Sequence, residues 1–334
     1  MNTLPVLDLS EVDAGPATAA AFRVQLRAAA HDVGFFYLTG HGIPAQVQAD
    51  LFAVAREFFA LPQADKDAVA MLGSPHFRGY NRTGGELTQG RVDWREQIDV
   101  GPERPARPPA DGAAYLRLEG PNQWPAALPR LREVLLGWES RCTAVGLRLM
   151  REWALSLGAE PGIFGPAFAD RPSTLIKLIS YPGRAPSEGQ QGVGAHKDPG
   201  VLTLLLIEPG KSGLQVEHEG ELIDAPARDD GAFIVNIGEL LEYATDGYLK
   251  ATMHRVVSPP EGDHRLSVPF FLNPALDSTV PRIPLAADLA GQAPGVTLDP
   301  ANVISGTFGD NLLKARLRAH PDVAARHHAD LVAG

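Results

Sequence analysis

Residues 194–206 read GAHKDPGVLTLLL. His196 and Asp198 stand two apart at the mouth of a long apolar run, and a strand projects residues i and i+2 from the same face. The spacing predicts a chelating pair that looks into a cavity while the apolar residues continue as a buried strand. The same texture extends on both sides. TLIKLISY, GLQVEH, ELIDA, GAFIVNI, ATMHRVVS and RLSVPFFL are short β-prone runs separated by turn residues. Many short strands at near-regular spacing indicate a sandwich or jelly roll.

Upstream of residue 173 the period changes. Phe22, Leu26, Ala29, Ala30 and Val33 recur at helical spacing, as do Val47, Leu51, Val54 and Phe58. The strongest helical signal spans 128–158, where Leu131, Val134, Leu135, Trp138, Cys142, Val145, Leu149 and Trp153 follow steps of three and four. LPVLDLS and GFFYLTGHGIP read as strands, and residues 73–112 as mostly loop with a short strand in WREQIDV. The tail FGDNLLKARLRAHPD returns to helix. The expected fold is mainly β with supporting helices, as one unit over 1–334. Its parts are an N-terminal helical and loop region (1–125), a supporting helix (126–172), a catalytic β-core (173–280) and a C-terminal segment with its helix (281–334).

The chain has 334 residues and a net charge of −10, so bulk composition offers no basic face for nucleic acid. A small-molecule partner is expected. MNTLPVLDLSEVDAG has no basic segment followed by an apolar core, and no apolar stretch approaches the ~20 residues that cross a bilayer. These features predict a cytoplasmic protein with no membrane partner, for which a monomer is the default. Cys142, the single cysteine, cannot form an internal disulfide and falls on the apolar face of a helix, where it reads as core.

A third metal ligand is available in ATMHRVVS, at His254. Two imidazoles and a carboxylate on one face of an octahedron make the two-histidine, one-carboxylate triad of non-haem Fe(II) oxygenases. With ten histidines in the chain, an HxD pair arises easily by chance. Arg265 and Ser267 strengthen the reading, since they too stand two apart in a strand. A guanidinium fork beside a hydroxyl suits a carboxylate. A surface ion pair would be the ordinary role of Arg265, but flanked by LSVPFF it enters an apolar barrel, where an unpaired charge costs several kcal/mol.

At this point the sequence resembles the isopenicillin N synthase-like family of Fe(II)/2-oxoglutarate-dependent oxygenases. The likeness runs through LPVLDLS, DVGFFYLTGHGIP, FFALPQADKDAV, FRGYNRTGGE, WREQIDVG, LIKLISYPG, GAHKDPGVLTLLL, GLQV, FIVNIGELLEYATDGYLKATMHRVV, HRLSVPFFLNP and GDNLLKARLRAHPDV. It implies a distorted double-stranded β-helix, or jelly roll, flanked by N-terminal, middle and C-terminal helices. It implies that His196, Asp198 and His254 bind Fe(II), and that Arg265, Ser267 and Tyr181 bind the distal carboxylate of 2-oxoglutarate. One departure is Ile179, where plant members often carry asparagine, so fewer co-substrate contacts are expected from that strand. Lys197 should point away from the metal.

The chemistry so implied consumes O2 and decarboxylates 2-oxoglutarate to succinate while hydroxylating or desaturating a small molecule, in specialised metabolism. An Fe(II) oxidase or cyclase that dispenses with 2-oxoglutarate also resembles this chain and retains RxS. A non-catalytic jelly roll that binds a small acid would accommodate the same residues without turnover. A zinc hydrolase would use the His/Asp/His ligands but leaves Arg265 and Ser267 without a job.

Substrate selectivity is expected in loops over the barrel mouth. Phe77, Arg78, Tyr80 and Arg82 in FRGYNRTGGE are candidates, with Arg78 reading somewhat better as a surface residue. Lys177 alternates onto the face of Tyr181 and either enters the cavity or lies at a solvated edge. Trp94 reads as core. Asn236 and Gly238 form a structural loop near the site, with glycine chosen for unusual backbone angles.

Overall fold

The computed structural model describes residues 3–107, 112–185, 187, 189–296 and 303–332. The two N-terminal runs form β1 (Val6–Asp8) and β2 (Phe35–Thr39). The stretch expected as loop holds β3 (Gly79–Asn81), a hairpin of β4 (Leu87–Thr88) and β5 (Arg91–Val92), and β6 (Glu96–Val100). The β-rich half supplies β7 (Leu175–Pro182), β8 (Gln191–His196), β9 (Leu202–Ile207) and β10 (Leu214–His218). It continues with β11 (Glu221–Asp224), β12 (Phe233–Ile237), β13 (His254–Val257) and β14 (His264–Leu272).

Eight of these strands form one sheet in the order β1-β2-β12-β9-β14-β7-β6-β3, and four form a second in the order β11-β10-β13-β8. The large sheet is antiparallel from β2 to β3, and β1 joins β2 in parallel. This is the jelly-roll core expected from the sequence.

The two faces of the large sheet have different work. On the outer face Phe36 meets Trp153 edge-on at 6.2 Å, and Phe233 lies 5.7 Å from Trp138. Both tryptophans belong to the 27-residue helix Arg130–Ser156, whose apolar stripe includes Leu131, Leu135, Cys142 and Leu149. Helices Pro16–Asp32 and Ala45–Phe59 pack beside it. Each large apolar side chain buried here contributes about 2 kcal/mol. The inner face looks toward the small sheet, and between them Ile179, Tyr181, Val193, Leu214 and Val256 form part of a second apolar cluster.

Proline is rare in central strands because it cannot donate to the ladder, yet Pro269 lies in β14 between β7 and β9. Its pairing with Leu205 of β9 is kept, while pairing with β7 lapses between Ser267 and Phe270. The missing N–H thus falls on the interrupted side, where the register places Pro269 opposite Lys177. No helix of the described residues is long and apolar enough to cross a membrane.

Candidate active site

Between the two sheets lies a cavity of about 1050 Å³. Its walls come from alternate residues of several strands: Lys177, Ile179 and Tyr181 of β7, then Arg265 and Ser267 of β14. The small sheet adds His196 at the end of β8 and His254 at the start of β13, which face each other in register. Asp198 is not in the strand itself, since β8 ends at His196. It arrives in the irregular segment before β9, where backbone contacts from the turn after β12 hold it. Glu239 N donates to the Asp198 carbonyl at 2.8 Å.

His196 Nε2 lies 3.6 Å from Asp198 Oδ1 and His254 Nε2 lies 3.8 Å from the same oxygen. One ligand atom from each of the three residues falls within 4.8 Å of the others. The opposite atoms of each group are already engaged. His196 Nδ1 meets the Gly194 carbonyl at 2.8 Å and His254 Nδ1 meets that of Thr252 at 3.0 Å, which assigns the proton to Nδ1 and leaves both Nε2 lone pairs for the cavity. Asp198 Oδ2 accepts from Thr203 Oγ1 and from Asn236 Nδ2, at 2.8 Å for the latter. Such a donor set, oriented from behind and open in front, suits a divalent transition metal.

Electrostatics agree with that geometry. Burial opposes ionisation of Asp198, but the two histidines and the Asn236 amide overcome it and hold the carboxyl well below its usual range. Burial also works against a proton on His196, and the adjacent carboxylate outweighs it. For His254 burial prevails, reinforced by His196, and brings its pKa to about 4.

Arg265 is 1% exposed, and its Nε and both Nη atoms have no hydrogen-bond partner. Its guanidinium lies 4.8 Å from the ring centre of Tyr181, the residue paired with it on β7. Burial presses its pKa down, and Tyr181 opposes the shift. Buried donors without partners are costly, so this recess is shaped for an anion.

The remaining sequence candidates separate. Lys177 lines the cavity, 7% exposed, with Nζ bonded to both oxygens of Glu86 at 2.9 and 3.0 Å. Phe77, Arg78 and Tyr80 do not line it. Phe77 stacks on His328 at 5.1 Å, Arg78 packs its guanidinium against Gly101, and the Tyr80 hydroxyl donates to Glu96 at 2.6 Å. Arg82, exposed, pairs with Asp67. Lys197 pairs with Glu242 at 3.2 Å and also lines the cavity. Half-buried Trp94 stacks under Arg184. Gly238 has an ordinary extended φ of −96°, so backbone freedom is not its reason. A Cβ there would stand 2.1 Å from the Gly200 carbonyl oxygen, and close approach is what selects glycine.

Several residues that build the site carry little or no local signal. Asn236, expected only to shape a loop, orients Asp198. Arg95, Glu86 and Arg316 line the cavity, although the motifs that contain them give no local sign of it. Asp93, fully buried, accepts from Gly194 N at 3.1 Å and Thr88 Oγ1 at 2.7 Å, which clamps the β4–β5 hairpin onto the strand that ends in His196.

Residues 4–127 match the model of the N-terminal region of the non-haem dioxygenase in morphine synthesis, and residues 172–274 match that of the 2OG-Fe(II) oxygenase superfamily. The chain is 34% identical to 2-oxoglutarate-dependent dioxygenase frbJ of Dothideomycetidae sp. (strain 11243), an alignment covering 100% of this chain and 94% of that protein. It is 33% identical to homoarginine-6-hydroxylase 2-ODD-C23.1 of Arabidopsis thaliana, over 84% of this chain and 87% of the relative. Among solved structures, a full-length Neurospora crassa protein in complex with alpha-KG and 5-formyluracil superposes with a TM-score of 0.75 at 26% identity, covering 94% of this chain and 96% of that one. The chain therefore belongs to the isopenicillin N synthase-like Fe(II)/2-oxoglutarate-dependent oxygenases, and is a dioxygenase that uses iron and 2-oxoglutarate.

Proposed function

We propose that His196, Asp198 and His254 hold the ferrous ion, and that Arg265, with Ser267 and Tyr181, receives the distal carboxylate of 2-oxoglutarate. The observation behind this reading is the buried, unpartnered Arg265 guanidinium on the wall of the cavity that the triad enters. The iron and its co-substrate supply O2 activation and decarboxylation. The protein supplies the rest. Thr203 and Asn236 fix one carboxylate oxygen, the carbonyls of Gly194 and Thr252 fix both imidazoles, and Ile179 and Val193 keep the surroundings apolar.

The substrate in this reading is a small molecule that is hydroxylated or desaturated in the cavity. The net charge of −10 argues against a nucleic-acid partner, and we treat the protein as a cytoplasmic monomer with residues 1–334 forming one oxygenase unit. Lys177 belongs to the substrate side of the site, whereas Phe77, Arg78 and Tyr80 support the wall from behind.

Anaerobic addition of Fe(II) and then 2-oxoglutarate should produce a metal-to-ligand charge-transfer band in the visible. Asp198→Ala should abolish the band and iron retention. A wild-type protein that binds iron but shows neither the band nor succinate formation would favour the 2-oxoglutarate-independent oxidase instead.

A further inference from the structure

We infer that the primary substrate is a carboxylic acid with an apolar body, and that Arg95 receives its carboxylate. The inference rests on the site assignment above, because it requires Arg265 to be committed to the co-substrate.

The register places three side chains in a row across the inner face of the large sheet. Arg265 of β14 pairs with Tyr181 of β7, and continuing the β6–β7 ladder by one residue from Glu96↔Ser180 sets Arg95 against the far side of the same tyrosine. Tyr181 thus separates two arginines. The first serves the co-substrate. The second lines the same cavity as His196. Arg95 is 8% exposed, lines the cavity and keeps a buried Nε with no hydrogen-bond partner.

The wall behind Arg95 is polarised. Its Nη2 lies 3.0 Å from Glu86 and 3.2 Å from Asp93; Lys177 binds Glu86; Arg316 Nη1 lies 2.7 Å from Asp99. Arg95, Lys177 and Arg316 all face the cavity, whereas Asp93 and Asp99 are fully buried and stand outside its lining. The cations are in front and two of their three carboxylates are behind, so the cavity sees a positive surface. Lys197, Lys314 and Arg318 also belong to the lining, each engaged with partners of its own, as do the acids Glu86, Glu239 and Asp198 among the described residues. In a low-dielectric cleft, an arrangement of this kind concentrates anions and rejects cations.

The rest of the lining defines the body of the substrate. Leu175, Leu205, Phe271, Phe308 and Leu312 are apolar and offer few polar partners. A volume of about 1050 Å³ accommodates 2-oxoglutarate and a second, larger molecule together. An acid anchored through its carboxylate at Arg95 would lay an apolar chain or ring along this surface, with its near carbons toward the triad.

The test uses full-length protein loaded with Mn(II) and 2-oxoglutarate, so that Arg265 is occupied and no turnover occurs. Phenylbutanoic, octanoic and decanoic acids are each compared with their primary amides and amine analogues by thermal shift and equilibrium dialysis. The same compounds are then scored for stimulation of succinate release by the Fe(II) enzyme. The expected result is an acid preference of about tenfold or more within the responding pairs, as a charge-assisted bond to a guanidinium confers. Arg95→Gln should erase the preference of acid over amide, and Arg95→Lys should restore part of it. An amide or amine that binds as well as its acid, or no acid preference in any pair, overturns the proposal. So does an Arg95→Gln enzyme that keeps the preference and shows only a raised KM for 2-oxoglutarate. Because the charge-transfer band reports the iron and co-substrate independently, its presence alongside a failed acid preference would refute the substrate class alone.

Discussion

Asn236 donates its side-chain amide to Asp198 Oδ2 at 2.8 Å, across 38 residues of sequence. With Thr203 on the same oxygen, this bond turns Oδ1 toward the two imidazoles. Replacing Asn236 with Leu keeps the volume and removes the donor. Iron affinity should fall about 10–100-fold, the usual loss when an outer partner of a metal ligand is removed. Anaerobic titration with Fe(II) or Co(II) measures it, and an unchanged affinity would show that Thr203 alone orients the carboxylate.

Arg265→Gln should raise the KM for 2-oxoglutarate by about 100-fold, since two charge-assisted hydrogen bonds are lost from a buried recess. Arg265→Lys should recover only part, because an ammonium offers a point charge and not a planar fork. Steady-state succinate formation against 2-oxoglutarate concentration reads both values; equal KM for wild type and Gln variant would remove Arg265 from the co-substrate site.

His320 sets a pH dependence of stability. It is fully buried, with Nδ1 3.4 Å from Asn81 Nδ2 and Nε2 3.8 Å from Glu86, and burial brings its pKa to about 4. The unfolded chain, with an ordinary histidine near 6.5, binds the proton more readily between those values. Stability therefore falls as pH drops from about 6.5 toward 4, by about 2 kcal/mol at pH 5 from this residue. His320→Gln should flatten the decline of Tm over that window, and an identical pH slope in the variant would count against it.

Gly238→Ala should lower Tm and loosen the metal site together. The added methyl meets the Gly200 carbonyl oxygen at 2.1 Å and the Asp198 carbonyl oxygen at 3.1 Å, both backbone atoms. Overpacking of this kind costs about 1–3 kcal/mol. Gly165→Ala is the matched control, because nothing lies within 4 Å of its added carbon. A Gly238 variant as stable as that control would mean that the 198–200 segment yields freely.

What is legible in the sequence is what strand alternation and local spacing encode. His196 and Asp198, Arg265 and Ser267, and the β-run around His254 each announce themselves within a few residues. The long helix does so through Leu131, Trp138, Leu149 and Trp153, whose period survives any tertiary context. Glu86, Arg95, Asp99 and Arg316 are illegible for the opposite reason. Lys177 and Glu86 are 91 residues apart, and Arg316 and Asp99 are 217 apart. No local period reports such a meeting. The motif around Phe77 and Tyr80 points to the barrel mouth, but short β3 turns Tyr80 toward the helices and Asn81 toward His320. Asn236 shows the subtlest limit, since an asparagine near the end of a strand looks the same whether it holds backbone or orients the Asp198 carboxylate.

The pairing of Arg316 with Asp99 also ties the C-terminal helix to the wall of the pocket. The helix Phe308–Ala319 contributes Phe308, Leu312, Lys314 and Arg316 to the cavity, although the triad and Arg265 are already complete by residue 267. Without that helix, one side of the chamber would stand open to water. Clipping by a protease ahead of Phe308 would remove that wall and leave Asp99 a buried carboxylate without its Arg316 partner.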